Sequence, residues 1–250
     1  MKKNTILKFN IMRYLYAAGI IISFMACNTP SGIKRIWAID DSEKIRKDDL
    51  NNPLAIDQNN TIWQNNTINI FGARNEIIAF QLIIQADSSG VSNVNVKISN
   101  LTNGSSIIPG SATGPSDPFD YRGRNVELFT EHYLNMIKRS PPAWFFLESA
   151  APSAYYKGWV PDCLIPFSAP PGKGGAPFAI EGRQNQGVWV DILIPENAAE
   201  GTYAGNATVT IAEKIFEKIP VFLKVYDFAL PDSTHLKNMF GFYPPNLASR

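Results

Sequence analysis

Two glutamates, a histidine and a group of aromatic side chains are the residues of this sequence best equipped for chemistry. Glu127 and Glu131 fall in the stretch Val126 to Ile137, where polar and apolar residues alternate. Period two predicts a strand with Val126, Leu128, Thr130, His132, Leu134 and Met136 on one face and Glu127, Phe129, Glu131 and Tyr133 on the other. Two carboxyl groups can share acid and nucleophilic or basic work across a glycosidic bond, but only at separations of about 5 to 9.5 Å. Four residues of extended chain put Glu127 and Glu131 about 13 Å apart, so both are expected to face solvent. His132 has no partner at metal-ligand spacing and is expected to be a satisfied structural residue. Cys163, next to Leu164-Ile165, is expected to be a small buried hydrophobe and not a nucleophile.

The aromatic residues Trp144, Tyr155, Tyr156 and Trp159 lie between Pro141-Pro142 and the loop Pro170-Pro171-Gly172-Lys173-Gly174-Gly175. Trp and Tyr on loops give flat faces for a sugar ring, and the same residues can plug the end of a core or an interdomain contact. Both readings stay open. The glycine loop lacks P-loop spacing and a following helix to aim amides at an anion, so it is read as a plain loop. The carboxylates between Asp40 and Gln58 lack the spacing of a calcium loop, and that stretch is read as a solvated loop or short helix. No catalytic residue, metal or cofactor is assigned.

The N-terminus carries an address. Lys2, Lys3, Lys8 and Arg13 precede an apolar stretch from Tyr14 to Ala26, which is the order of an export signal. As a helix it would span roughly 20 Å, short of the roughly 30 Å hydrocarbon core. Phe24-Met25-Ala26-Cys27 resembles the bacterial lipobox, which implies that Cys27 takes a diacylglycerol and anchors the protein in the cell envelope through lipid. Residues 1–26 are then signal peptide and 27–33 a tether. Cys163 would be left without a partner for a disulfide.

Lys and Arg number 23 against 22 for Asp and Glu, a formal charge of +1, so composition gives no electrostatic case for nucleic acid as partner. The 18 Pro and 17 Gly are spread along the chain, as turns between short strands would be. Strands are predicted at Lys34 to Ile39, at Glu76 to Ala86 with Ile78, Phe80, Leu82 and Ile84 on one face, and at Val94 to Ile98. The last two, joined by a turn at Asp87 to Gly90, read as adjacent strands. Residues 104 to 120 read as surface loop and 139 to 186 as the least regular part. Val188 to Ile194 and the strand near Asn206 to Ile211, linked through Gly201-Thr202-Tyr203, read as a hairpin. A final strand from Ile219 to Phe228 carries Pro220 near its start or at an edge. The fold class is all-β, an immunoglobulin-like antiparallel β-sandwich over residues 34–231.

Several segments taken in order resemble a known arrangement. They are Gly72-Ala73-Arg74-Asn75-Glu76 leading to Phe80-Gln81, Asn185-Gln186 before Val188-Trp189-Val190-Asp191, Ile194-Pro195 with Gly201-Thr202-Tyr203 and Gly205, and Val225-Tyr226-Asp227-Phe228 before Leu230-Pro231. Together, over about residues 70 to 245, they resemble the N-terminal domain of glycoside hydrolase family 123 and the related domain of unknown function 4091. The resemblance implies a sandwich followed by a (β/α)8 barrel whose Asp-Glu pair hydrolyses N-acetylgalactosaminides. Residues 232–250, with Met239 to Tyr243 resembling a first barrel strand, are too few for a barrel of about 250 residues, so the chain reads as a fragment without its catalytic barrel. The expected role is a non-catalytic accessory sandwich of a glycan-degrading surface or periplasmic lipoprotein. The alternative is a stand-alone carbohydrate- or protein-binding lipoprotein module.

Overall fold

The computed structural model describes residues 32–56, 60–110, 124–138, 157–170 and 172–233. The described chain runs through β1 (Ile33–Asp40), β2 (Trp63–Gln64), β3 (Thr67–Arg74), β4 (Glu76–Ala86), β5 (Val91–Ile98), β6 (Leu101–Asn103), β7 (Ser106–Ile108), β8 (Val126–Met136), β9 (Gly158–Pro166), β10 (Phe178–Ile180), β11 (Asn185–Ile194), β12 (Gly201–Ile211) and β13 (Lys214–Ala229). One sheet has the order β1-β4-β11-β8-β9 and the other β10-β5-β12-β13-β3-β2, with β6 on β12 and β7 on β6. The pairs are antiparallel except β13 with β3, which is parallel. The molecule is an all-β sandwich, and among the described residues no helix is long and apolar enough to cross a membrane.

Alternation builds the core. Phe80, Leu82 and Ile84 of β4, Val188, Val190 and Ile192 of β11, and Val209, Val221 and Leu223 of β12 and β13 are all fully buried in one cluster. Each such side chain contributes about 1.5 to 3 kcal/mol. On β8 the row Val126, Leu128 and Thr130 is buried as its periodicity predicts.

Pairing differs from the sequence reading at two links. β4 and β5 are not neighbours: β4 pairs with β1 and β11, β5 with β12 and β10, and Asp87 to Gly90 crosses between the sheets. Likewise β11 and β12 lie in different sheets, and the hairpin is formed by β12 with β13. Both faces of a sandwich present the same alternation, so a short link serves as hairpin or as arch. Pro220 lies inside β13, where pairing with β3 begins only at Val221, so its missing N–H faces no ladder.

Within residues 104 to 120, read as surface loop, β7 is a strand and its Ile108 is fully buried. The irregular region contains β9 and β10; Pro161 and Pro166 interrupt the pattern of β9, and a register shift at His132/Tyr133 bends its ladder.

The β12–β13 turn holds Ala212 at φ 46° and Glu213 at φ 67°, the left-handed pair that a two-residue hairpin requires and that Asn-Gly adopts most readily. Replacing Ala212-Glu213 by Asn-Gly is expected to add about 1 kcal/mol, read as a higher urea midpoint at unchanged slope.

Candidate functional site

The outer face of the five-stranded sheet is where the sequence departs from a plain sandwich. Residues 41–56 lie across this face: 41–44 are exposed as expected and Pro53–Ala55 forms a short 3-10 helix, but Ile45 is buried, 1% exposed. Strand amides hold them. Gln81 Nε2 donates to the carbonyls of Asp40 and Glu43 at 2.9 and 2.7 Å. Gln85 Nε2 donates to that of Leu50 at 3.0 Å, and Asn185 Nδ2 to those of Arg46 and Asp49 at 3.1 and 2.7 Å. Buried amides that each satisfy a loop carbonyl replace the water a solvated loop would use. Lys44 reaches β9, donating to the Pro161 carbonyl at 3.3 Å and pairing with Asp162 at 3.4 Å.

This strap changes the standing of Glu131. It shares the outer face with Tyr133, as alternation predicts, but it is 3% exposed and not solvent-facing. Neither carboxyl oxygen has a hydrogen-bond partner among the described residues. Burial pushes its pKa up to about 7, with the Lys44 charge opposing the rise. The carboxyl rests above Gly187, where a Cβ would stand 2.2 Å from Oε2 and 2.4 Å from Cδ. Tyr133, 6% exposed, accepts from the Gly187 N–H at 3.2 Å. Burial, and then the nearby Glu131 charge, pushes its phenol well above the usual range.

Glu131 lines two clefts. One, of about 410 Å³, has Trp159, His132, Tyr133, Lys47 and Phe178 among its walls. The other, of about 220 Å³, is bounded by Glu43, Lys44, Gln81, Leu164 and Trp189. Trp159 is 39% exposed, and the Lys47 ammonium stands 4.9 Å from its ring centre.

A second pair of acids was not anticipated. Glu127 stands directly opposite Asp191 across the β8–β11 ladder, which puts their Cβ atoms about 4.5 to 5.5 Å apart. Burial raises the pKa of both; the Arg124 ion pair at 2.8 Å opposes this for Glu127, and the Trp189 Nε1–H bond at 2.6 Å does so for Asp191. Glu127 is thus half-buried and ion-paired, not solvent-facing. The adjoining hollow measures about 20 Å³, room for one water and none for a sugar ring, so this pair is not built for glycoside hydrolysis.

Other sequence expectations fall as follows. His132 and Cys163 are paired neighbours and both exposed, so Cys163 is not the buried thiol expected of it. β9 is the edge of its sheet, and this row runs past the core, with Leu134 also 39% exposed. Trp159 sits on the cleft wall. Cys27, Trp144, Tyr155 and Tyr156 lie outside the described residues, as do residues 1–26, where a signal peptide is expected, and residues 234–250.

No protein-family model and no curated protein sequence matches the chain. Among solved structures it is similar to a family 123 glycoside hydrolase from Clostridium perfringens, studied for glycolipid glycan hydrolysis, at 22% identity and TM-score 0.47 over 66% of this chain and 24% of that one. It is also similar to the N-terminal domain of PorA, at 8% identity and TM-score 0.28 over 78% of this chain and 100% of that one. A third likeness is to AvmM, which catalyses macrocyclization in alchivemycin A biosynthesis, at 12% identity and TM-score 0.31 over 67% and 87%. The matched region spans about a quarter of the glycoside hydrolase. Likenesses this distant assign no chemistry to the sandwich.

Proposed function

We propose that the sandwich is the non-catalytic platform of a glycan-degrading lipoprotein of the bacterial cell envelope, anchored through lipid on Cys27, and that it aims the chain that follows Pro231. The observation that carries this reading is a clamp at one corner. Asn75, at φ 61°, donates its backbone N–H to the Ile194 carbonyl at 2.9 Å and its Nδ2 to the Leu230 carbonyl at 2.9 Å and Asp232 Oδ1 at 2.7 Å. Arg74 pairs with Asp227 at 3.0 Å, and the Leu230 N–H donates to the Arg74 carbonyl at 2.8 Å. Three of the segments behind the family resemblance, around Gly72 to Glu76, Ile194-Pro195 and Val225 to Pro231, therefore meet where the chain leaves the sheet. Fixing the exit strand to two other connections suits a domain that orients its successor.

The test follows the reading frame beyond Arg250 and expresses the whole product. Hydrolysis of aryl N-acetylgalactosaminides by that product, with none by residues 27–250 alone, is expected. A product without a glycosidase segment, or cleavage by residues 27–250, rejects the platform role. Cys27→Ser is expected to abolish metabolic labelling with an alkyne fatty acid; retained labelling would refute the anchor. Asn75→Ala removes two side-chain hydrogen bonds from a left-handed position and is expected to lower stability by about 1 kcal/mol. It should also lower the NMR order parameters of Leu230 and Asp232.

The alternative, a stand-alone carbohydrate- or protein-binding module, is favoured by one observation: Trp159 is exposed on the wall of the Glu131 cleft.

A further inference from the structure

We infer that the row of aromatic side chains on the outer face of β3 and β13 is a docking surface for this chain's own C-terminal segment, with Met239-Phe240-Gly241-Phe242-Tyr243 laid across it. This goes beyond the platform role, which concerns the exit from Leu230 to Asp232, and it stands whether or not a hydrolase segment follows.

The solvent face of an antiparallel sheet ordinarily carries polar side chains. β12 and β5 obey this with Thr202 and Lys97. β3 and β13 do not: Phe71 is 65% exposed, Phe228 54% and Phe222 40%. Their rings continue into one another. Phe71 meets Tyr226 edge-on at 5.8 Å, Tyr226 stacks on Phe228 at 6.2 Å, and Lys224 Nζ stands 5.1 Å from the centre of the Tyr226 ring. A contiguous aromatic patch open to water marks an interaction surface.

Position and reach select the occupant. Phe228 immediately precedes the corner clamp, where the Leu230 N–H donates to the Arg74 carbonyl and Asn75 Nδ2 to Asp232 Oδ1. Whatever follows Asp232 therefore starts at the edge of the row. Met239 comes seven residues later, about 23 Å of extended chain, and the row from Phe228 back to Phe222 is about 20 Å long. A tether of this length sets an effective concentration of about millimolar, which favours the attached segment over a partner from solution. The chemistry agrees. Residues 233–250 contain no Asp or Glu, so docking them would bury no carboxylate against the rings. Phe240, Phe242 and Tyr243 can present aromatic faces to the Lys224 ammonium as Tyr226 already does. The chain enters the sandwich at the opposite end, with Ile33 paired to Ala86, about 33 Å along β4 from Glu76. Lipid held through Cys27 would approach that end and not the aromatic row.

The experiment oxidises the full chain with hydroxyl radicals and reads the rate at each side chain, beside a Phe240→Ser/Phe242→Ser variant. Oxidation of Phe71 and Phe228 is expected to rise about threefold in the variant, with Phe216 near the tip of the β12–β13 hairpin unchanged and the circular dichroism spectrum preserved. In the unsubstituted chain, NOEs from the Phe240 or Phe242 ring to Phe71, Tyr226 or Phe228 are expected at every protein concentration. Equal oxidation in the two proteins or absence of these NOEs would overturn the inference. Protection of the row that grows with protein concentration would assign it to a second copy, and protection that requires phosphatidylglycerol vesicles would assign it to lipid; either result rejects the segment as occupant. The platform role is judged separately, by hydrolysis in the whole gene product.

Discussion

Glu131→Gln is expected to raise stability at pH 8 by about 3 kcal/mol, because it removes a buried charge while keeping the shape of the side chain. The native carboxyl has its pKa raised from 4.5 to about 7. Below pH 4.5 it is protonated in both folded and unfolded chains and contributes no difference. As pH rises from 4.5 to 7 the unfolded chain releases this proton first, so the native state binds more protons and loses stability. Above pH 7 the loss is complete, and at about 1.4 kcal/mol per pKa unit it amounts to about 3 kcal/mol. Lys44 is the charged neighbour that limits the effect, and Glu43 and Asp162 border the same cleft. Urea midpoints of the two proteins at pH 5 and pH 8 decide the matter. Parallel pH profiles would mean that the carboxyl is not desolvated in the native protein.

Gly187→Ala tests the same feature from the other strand and is expected to cost about 3 kcal/mol. Gly187 lies within β11, between β4 and β8. Its Cβ would come within 2.2 to 2.8 Å of three atoms of the Glu131 carboxyl group. An exposed glutamate would swing aside at little cost, but this one is enclosed with Tyr133 beside it. In a Glu131→Ala background the clash is absent, and the same substitution should be close to neutral, giving a coupling energy of about 2 to 3 kcal/mol in a double-mutant cycle. Additive effects would show that the carboxyl does not rest on Gly187.

The strands that could be read from sequence are those whose alternation is local and complete. Glu76 to Ala86 matches β4 end to end, and Val126, Leu128 and Thr130 face the core as read. Sheet membership was not legible, since Asp87 to Gly90 has the length of a hairpin turn and only the partners of β4 and β5 show that it is an arch. The burial of Glu131 was hidden for a different reason: its cover comes from residues 41–56, some eighty positions earlier, and nothing near Glu131 announces it. The clue was present on other strands. Gln81, Gln85 and Asn185 occupy outward slots with amides that can hold a loop, and Gly187 is the one glycine of β11. Asp191 is not legible as the neighbour of Glu127 from spacing along one strand, because a ladder brings its closest pairs from different strands.

The parallel pair of β3 with β13 joins residues 68–74 to residues 221–229. β13 is also the partner of β12, so the second sheet lacks its middle until the last strand is available. Contacts of such sequence separation form late and slowly. A chain delivered from its N-terminus would leave β3 without β13 and β5 without β12 for most of its delivery, open to pairing with other chains. Its yield should depend more on a holding chaperone during synthesis than on the stability of the finished sandwich.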